Sequence, residues 1–160
     1  MSSGANPVAR AGIGWDSHRL AAGRPLVIGG VEIPAEQGLD GHSDADVLTH
    51  AVIDALLGAA GLGDIGQHYP DTDPAYAGAA SLDLLRDTVA RAATAGFIPE
   101  YADTTVVCEQ PKLGPHREAI ATALADVLGA PVNVKFTTGE GIGFVGRGEG
   151  IAALAAVTVG

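Results

Sequence analysis

The segment 40–73 constrains the fold more than any other part of the chain, because an apolar helix in it joins two polar loops. Apolar side chains recur at helical spacing between residues 47 and 57, which predicts an amphipathic helix. The loop before it, 41–44, reads Gly-His-Ser-Asp, and the loop after it, 63–73, is rich in turn residues without an apolar period. We therefore expect a helix with one polar loop at each end.

Potential ligands are concentrated in the same segment, which holds three of the five histidines. Asp46, His50 and Asp54 follow one another at intervals of four, so they share one face of the predicted helix. A histidine among carboxylates beside a glycine-rich loop is typical of a metal or phosphate site. The alternative is that Ser43, Asp44 and Asp46 only cap the helix, but capping requires no histidine.

Asp16 and His18 are two further candidate ligands. They lie two apart in the predicted strand 11–20, so their side chains leave the same face. One more imidazole would complete a three-ligand site with an open fourth position, the pattern of catalytic zinc. His50 is the preferred third ligand and His42 the competing choice. Asp-x-His is a weak motif by itself, and an exposed strand is the alternative interpretation.

A second polar group, Thr137, Thr138, Gly139 and Glu140, leads into the loop 139–150, which contains six glycines. Hydroxyls and backbone amides there can bind phosphate oxygens. Glu140 suits magnesium, which prefers few protein carboxylates together with other oxygens. An ordinary polar strand end is the alternative.

Two other stretches have weaker signals. The 139–150 loop also contains Phe144, Arg147 and Glu149, and its glycines permit close backbone approach to a ligand. The alternative interpretation is that Arg147 only forms an ion pair with Glu149. Residues 111–114 are suited to cradle a base or a phosphate, with a plain turn as the competing interpretation.

The periodicity predicts elements in the order β-ββ-α-α-β-α-β-β. A hairpin over 25–34 turns at Gly29-Gly30, and Ser81 is predicted as the N-cap of the second helix. The other elements expected are helices over 81–95 and 115–128 and strands over 102–107, 132–138 and 151–159. The alanines of the last strand make a helix the alternative there. The pattern is that of an α+β fold: a mixed β-sheet with helices packed on one face plus a small β-hairpin.

Composition limits the partners. The net charge of −10 argues against nucleic acid and against an anionic membrane. Cys108 is the single cysteine, which fits a reducing, cytoplasmic compartment, and no apolar run reaches membrane-spanning length. Residues 1–9 are predicted as a disordered tail and 10–160 as one domain. The abundant alanine and glycine favour burial of apolar surface between subunits.

Several blocks together resemble one family. The blocks IGWDSHRL, LVIGGVEIP, GHSDADVLTHAVIDALLGAAGLGDIG, YPDTDP, QPKLGPH, VNVKFTT and GFVGRGEGIA occur in the order of the 2-C-methyl-D-erythritol 2,4-cyclodiphosphate synthase family. The resemblance covers nearly everything from Gly12 onward, and the combination is specific although each block alone is not.

The resemblance implies an enzyme of the non-mevalonate route to isoprenoid precursors. Members convert 4-diphosphocytidyl-2-C-methyl-D-erythritol 2-phosphate to the 2,4-cyclodiphosphate and release CMP, as phosphorus-oxygen lyases. They are homotrimers with active sites between subunits. One zinc ion per chain, magnesium or manganese, and a nucleotide-diphosphate substrate are implied.

Roles follow from the positions that match the family's blocks. The implied zinc ligands are Asp16, His18 and His50, and Glu140 is the implied magnesium ligand. His42 and Thr138 match the groups that stabilise the transition state. The implied substrate contacts are Ser43, Asp64, Ile65, Gly66, Tyr69, Pro70, Asp71, Thr72, Asp73, Cys108, Lys112, Leu113, Gly114, Thr137, Gly139, Phe144 and Arg147.

Trp15, Phe144, Arg147 and Glu149 match the lining of a central trimer cavity, which in some members holds an isoprenoid diphosphate. Three departures stand out. Trp15 replaces a common phenylalanine, Gly139 replaces a third threonine, and Gly114 replaces a bulkier residue of the cytosine pocket. The residues alone also leave two other classes open: a noncatalytic metal and phosphate-binding module, and a metallophosphohydrolase with a linear product.

Overall fold

The computed structural model describes residues 8–160, and helices cover one face of its five-stranded sheet. The strands are β1 (Arg10–Ala22), β2 (Leu26–Ile28), β3 (Val31–Ile33), β4 (Gln37–Leu39), β5 (Pro99–Val107), β6 (Val132–Thr137) and β7 (Gly150–Val159). The helices are α1 (Val47–Ala60), α2 (Ile65–His68), α3 (Ser81–Thr94), α4 (Arg117–Leu128) and α5 (Gly143–Gly146). The tail predicted for 1–9 lies almost wholly outside the described residues.

The sheet has the order β4-β1-β7-β5-β6. β7 is central and pairs antiparallel with both β1 and β5, whereas β6 joins β5 in parallel through α4. Side chains of β7 alternate between the two faces, and those on the helix-covered face are buried. The strand predicted over 151–159 is therefore confirmed, because two neighbours satisfy its backbone hydrogen bonds despite the helical preference of alanine.

Helix α1 lies unusually close to β1. Twelve of its side chains are buried, so it is apolar on nearly all sides and forms the centre of the core. A Cβ atom at Gly12 would lie 2.0 Å from the Ala55 carbonyl oxygen, and one at Gly14 would lie 2.0 Å from that of Ala51. These two glycines of β1 therefore let the helix backbone rest on the strand, in line with Asp16 and His18 on the same face.

The predicted hairpin is confirmed, with Leu26 paired to Ile33 and a turn at Gly29-Gly30. Both glycines have positive φ, as this turn type requires. Asp46 holds the turn in place: its carboxylate accepts hydrogen bonds from Gly29 N and Gly30 N at 2.8 and 2.7 Å. The same carboxylate caps α1 through the Thr49 amide and hydroxyl. Asp46, which was predicted to share a helix face with His50, is thus a buried structural group.

Several boundaries differ from the sequence predictions. Ser81 is the first residue of α3 and makes no capping bond, so its prediction as N-cap is wrong; its hydroxyl is engaged elsewhere. The strand predicted over 132–138 ends at Thr137. The loops expected to be irregular contain the short helices α2 and α5, and β4 was not predicted at all because three residues carry too little periodicity. Among residues 8–160, no helix is long and apolar enough to cross a membrane.

Candidate metal site and phosphate-binding turn

Side chains of Asp16, His18 and His50 converge at one point between β1 and α1. Nε2 of His18 lies 2.8 Å from Oδ2 of Asp16, and Nδ1 of His50 lies 3.1 Å from the same oxygen. The two imidazole nitrogens are 3.2 Å apart. All three candidate ligand atoms therefore lie within 4.8 Å of one another, close enough to share one metal ion.

The second nitrogen of His18 is fixed by the backbone. Its Nδ1 is 3.0 Å from the Asp40 carbonyl oxygen, which can only accept, so Nδ1 carries the proton. In neutral His18 the lone pair is therefore on Nε2, directed at the cluster. Gly41 passes directly over this ring, since a Cβ there would lie 3.2 Å from the imidazole.

The second nitrogen of His50 is fixed by a hydroxyl. Nε2 is 2.8 Å from the Ser81 oxygen and 3.1 Å from that of Ser43. Ser81 donates its own proton to the Asp44 carboxylate, so it accepts from His50 Nε2–H. This leaves the lone pair of neutral His50 on Nδ1, also directed at the cluster. Such partners orient the imidazole ligands of protein metal sites.

Charge within the cluster favours a cation. Burial acts to raise the pKa of Asp16, but hydrogen bonds from His18 and His50 outweigh it and the pKa is lowered. Burial likewise acts to lower the pKa of His18, yet the bond to Asp16 outweighs it and the pKa is raised. Two imidazole nitrogens and one carboxylate oxygen are also the donor set of three-ligand zinc sites, so these residues fit that ion.

His42, the competing third ligand, lies outside this cluster. Its Nε2 is 2.8 Å from the carbonyl oxygen of Asp73. His42 and Ser43 instead border a cavity of about 260 Å³ that opens onto the metal cluster. Other predicted substrate contacts in its wall are Ile65, Gly66, Tyr69 and Asp71. The loop that precedes α1 thus supplies two polar side chains to the cavity.

Several side chains of the predicted substrate loop make hydrogen bonds that stabilise the loop itself and its neighbours. Asp64 caps α2 in a reciprocal pair with Gln67. The Tyr69 hydroxyl donates to Asp87 at 2.6 Å, and burial together with that carboxylate raises the pKa of Tyr69 to about 12. Tyr69 therefore presents its ring to the cavity. Pro70, Thr72 and Asp73 lie in the same loop without lining the cavity.

A second pocket of about 300 Å³ lies at the far edge of the sheet. Cys108, Lys112, Leu113 and Gly114, the predicted base-binding residues, lie in its wall. The predicted phosphate contact Thr137 and the predicted catalytic residue Thr138 lie there too. Burial raises the pKa of the Cys108 thiol to about 11, so the thiol is neutral at physiological pH. Arg117, stacked over the Phe136 ring at 5.1 Å, gives this pocket a cation that sequence reasoning did not single out.

The predicted magnesium residue lies in a tight turn after β6. Glu140 has φ 55°, an uncommon value for a residue other than glycine, and its carboxylate is exposed near the Thr138 hydroxyl. Gly139 packs on the backbone of Gly146, where a Cβ would lie 2.6 Å from the amide nitrogen. Gly139 also donates its N–H to the Glu109 carboxylate. A threonine side chain does not fit at 139 in this arrangement.

The residues predicted to line a trimer cavity lie on or beside the uncovered face of the sheet. Trp15 is 55% exposed there, together with Ile13 at 83% and Leu154 at 41%. Phe144 is 36% exposed, and Arg147 bonds Glu149 at 3.1 Å. That ion pair lowers the pKa of Glu149.

The strand register shows that the two candidate regions do not meet within one chain. Ser17, beside the metal cluster, is level with Ala152, which is level with Val107 and then Thr137. Three strand spacings separate β1 from β6, roughly 14 Å across the sheet. The candidate metal ligands at β1 and the candidate phosphate-binding residues after β6 therefore form two separate groups.

Sequence reasoning missed four residues that act on these groups. Asp44 was considered only as a cap and Ser81 only as an N-cap, whereas together they fix the His50 imidazole. Arg24 was not considered and Glu109 was given no role of its own, yet each bonds the backbone of a candidate loop. Nothing in local spacing reveals such contacts, because each joins segments that are distant in sequence.

Comparisons with known proteins agree with the resemblance drawn from the sequence. The chain matches the YgbB family over residues 9–160. It is 59% identical over 151 residues to a 2-C-methyl-D-erythritol 2,4-cyclodiphosphate synthase from Symbiobacterium thermophilum, which covers 92% of this chain and 96% of that protein.

Solved structures agree in fold. The bifunctional IspDF from Campylobacter jejuni superimposes with a TM-score of 0.91 and 42% identity over 95% of this chain, which spans 42% of that longer protein. A CDP-bound 2C-methyl-D-erythritol-2,4-cyclodiphosphate synthase gives a TM-score of 0.86 and 40% identity, covering 94% of this chain and all of that one.

Proposed function

The chain belongs to the YgbB family of 2-C-methyl-D-erythritol 2,4-cyclodiphosphate synthases, and we propose that it catalyses the reaction of that family. The reaction converts 4-diphosphocytidyl-2-C-methyl-D-erythritol 2-phosphate to the 2,4-cyclodiphosphate, releases CMP and belongs to the phosphorus-oxygen lyases. The observation that carries the proposal is the convergence of Asp16, His18 and His50 beside a cavity bordered by His42 and Ser43.

Two metal ions complete the proposal. Asp16, His18 and His50 would hold zinc with an open ligand position, and Glu140 would hold magnesium or manganese together with substrate phosphates. Bound there, such ions act as Lewis acids on phosphate oxygens and neutralise charge that the acidic chain, at −10, would otherwise repel.

The protein's own residues position the reacting groups. The substrate 2-phosphate is already an anionic nucleophile, so no strong general base is required. His42, Ser43 and Thr138 are suited to bind phosphate oxygens and to keep the attacking oxygen in line with the bond that breaks. Alignment of this kind is the main protein contribution to phosphoryl transfer.

A complete site requires two copies of the chain. The roughly 14 Å that separates β1, which carries two of the cluster ligands, from β6, which leads into the turn, exceeds the spacing of neighbouring phosphates, which share a bridging oxygen. An assembly that places the base pocket of one chain against the metal cavity of the next brings them together. The exposed apolar face with Ile13, Trp15 and Leu154 supports a homotrimer with active sites between subunits.

The uncovered faces would then enclose a central cavity. Trp15, Phe144, Arg147 and Glu149 would line it, with Arg147 as the cation for a diphosphate and the aromatic rings for an isoprenoid chain. This central cavity would be separate from the metal cluster and from the turn after β6.

Product analysis tests the function. The purified protein, loaded with zinc and magnesium, is incubated with the CDP-methylerythritol phosphate, and ³¹P NMR follows the products. Equal amounts of CMP and cyclic diphosphate are expected. A linear phosphorylated product would identify a metallophosphohydrolase, and binding without turnover would identify a noncatalytic module; either result would refute the proposal.

A further inference from the structure

The side chain of Arg24 lies against the loop that carries His42, and nothing in the proposed reaction assigns it a role. Its guanidinium donates three hydrogen bonds, all to main-chain carbonyl oxygens: from Nε to Leu39 at 3.0 Å, and from one terminal nitrogen to Gly41 and Ser43 at 3.2 Å each. The last two carbonyls bracket His42 in sequence. Arg24 thus contacts the loop on both sides of the candidate catalytic histidine.

The fold brings Arg24 to this position through a close backbone packing. Gly23 turns the chain out of β1 with φ 77°, and Gly38 of β4 packs directly on the segment beyond it. A Cβ at Gly38 would lie 2.1 Å from the carbonyl oxygen of Arg24. Because β4 leads straight into the loop 40–46, the Arg24 side chain reaches that loop without spanning a gap.

The loop needs external support, because its own conformation is unfavourable. Ala45 has φ 57°, a left-handed backbone that costs about 1 kcal/mol for a residue with a Cβ. On the far side the loop is held by hydrogen bonds from Gly78 N to His42 O at 2.8 Å and from Asp44 N to Ala79 O at 3.0 Å. The three hydrogen bonds from Arg24 support the loop on its other side.

Charge attraction is a minor part of this contact. The nearest carboxylate, Asp40, is 4.0 Å from the guanidinium and 62% exposed, so solvent screens the pair. The planar fork of donors is what matches three carbonyls along the loop, and a lysine ammonium cannot span them.

We propose that Arg24 is a positioning residue. It holds the end of β4 and the first part of the loop 40–46, and with them the His42 side chain and the Asp40 carbonyl behind His18, in the arrangement required for turnover. The catalytic part of this inference rests on the proposed function. The ordering of the loop does not, so the two can be tested separately.

Amide hydrogen exchange measures the ordering directly. In Arg24→Ala and Arg24→Lys we expect peptides spanning residues 39–46 to exchange about tenfold faster or more than in the wild type, with peptides of α3 unchanged. Arg86→Ala is the matched control, since Arg86 bonds Asp83 on the surface of α3. Unchanged exchange over 39–46 in both Arg24 variants would overturn the inference.

Kinetics test the catalytic part. We expect kcat to fall about 10- to 100-fold in Arg24→Ala, because small misplacement of a catalytic group has effects of this size, while CDP affinity and bound zinc stay at the wild-type level. Arg24→Lys, which keeps the charge, should recover little, whereas added methylguanidinium should restore part of the turnover of Arg24→Ala and methylammonium should not.

A loss of thermal stability with kcat retained would show that Arg24 only stabilises the fold and would overturn the positioning role. If the wild type itself forms no cyclic product, the proposed function fails, and the exchange result alone decides the inference about the loop.

Discussion

The metal cluster and the turn after β6 are both polar, yet they are built in opposite ways. Asp16, His18 and His50 come from a strand and a helix of the core, and each imidazole has its second nitrogen fixed by another group. Glu140, by contrast, has an exposed carboxylate that accepts a long hydrogen bond of 3.3 Å from the Thr138 hydroxyl. The first region is preorganised within one chain, whereas the Glu140 carboxylate is held only loosely.

The two regions share one property. In the part of the chain that the structure describes, the non-glycine residues with positive φ are Ala45 and Glu140, one in each candidate loop. Strained backbone of this kind concentrates at functional sites, where the surrounding structure maintains it. Both regions therefore contain strained backbone, but only in the metal cluster do several side chains converge.

Removal of a cluster ligand should have the largest effect. His50→Ala leaves two donors at the metal position, so we expect both bound zinc and turnover to fall below detection. Metal content by mass spectrometry and the CMP assay check this, with His116→Ala as a control that retains zinc. Zinc retained in His50→Ala, or lost in the control, would contradict the assigned ligand set.

A charge on the uncovered face of the sheet should dissociate the subunits and so keep the metal cluster of one chain apart from the Glu140 turn of another. Leu154→Asp places a carboxylate in the apolar patch beside Trp15, and we expect a monomer by light scattering. Turnover should fall about 10³-fold, because the proposed site needs the metal cavity of one chain and the base pocket of another. Zinc content should stay at one ion per chain, since the cluster is intrachain. Ala93→Asp on the exposed side of α3 is the matched control. A monomeric variant with full turnover would exclude a site between subunits.

Glu140→Gln tests the exposed region alone. Loss of the carboxylate should lower kcat by roughly 100-fold while bound zinc remains at the wild-type level, because the residue is suited to magnesium and lies across the sheet from the cluster. Raised magnesium should restore part of the rate. Glu118→Gln in α4 serves as the control. If zinc is lost with Glu140, the division of the two ions is wrong.

Asp46→Asn should have the smallest effect on activity and a clear one on stability. The buried carboxylate accepts four hydrogen bonds, whereas an amide has one acceptor oxygen and turns its NH₂ toward donors. We expect the free energy of unfolding to fall by about 2–4 kcal/mol, measured in urea at fixed chain concentration against Asp83→Asn. Zinc loss in the folded variant would instead make Asp46 part of the metal site.

Much of the fold was predictable, because it depends on local patterns. The Gly29-Gly30 turn, the apolar spacing of α1 and the alternation in β1 each predict their element without reference to distant residues. Asp-x-His in a strand likewise predicted two side chains on one face. The short elements β4, α2 and α5 were missed, since tertiary contacts rather than periodicity stabilise them.

The sequence by itself determined which residue types are available for chemistry and which face of each element they occupy: Asp16 and His18 on one side of β1, and His50 on a helix that two glycines of that strand allow to approach. The sequence favoured His50 over His42 as the third ligand, and the tertiary structure brings it to Asp16 and His18. Only the tertiary structure decided that Asp44 and Ser81 fix the His50 ring and that Glu140 lies across the sheet from the cluster. The physical reason is that hydrogen bonds and ligand convergence depend on distances of about 3 Å between segments far apart in sequence, and no local pattern encodes those distances.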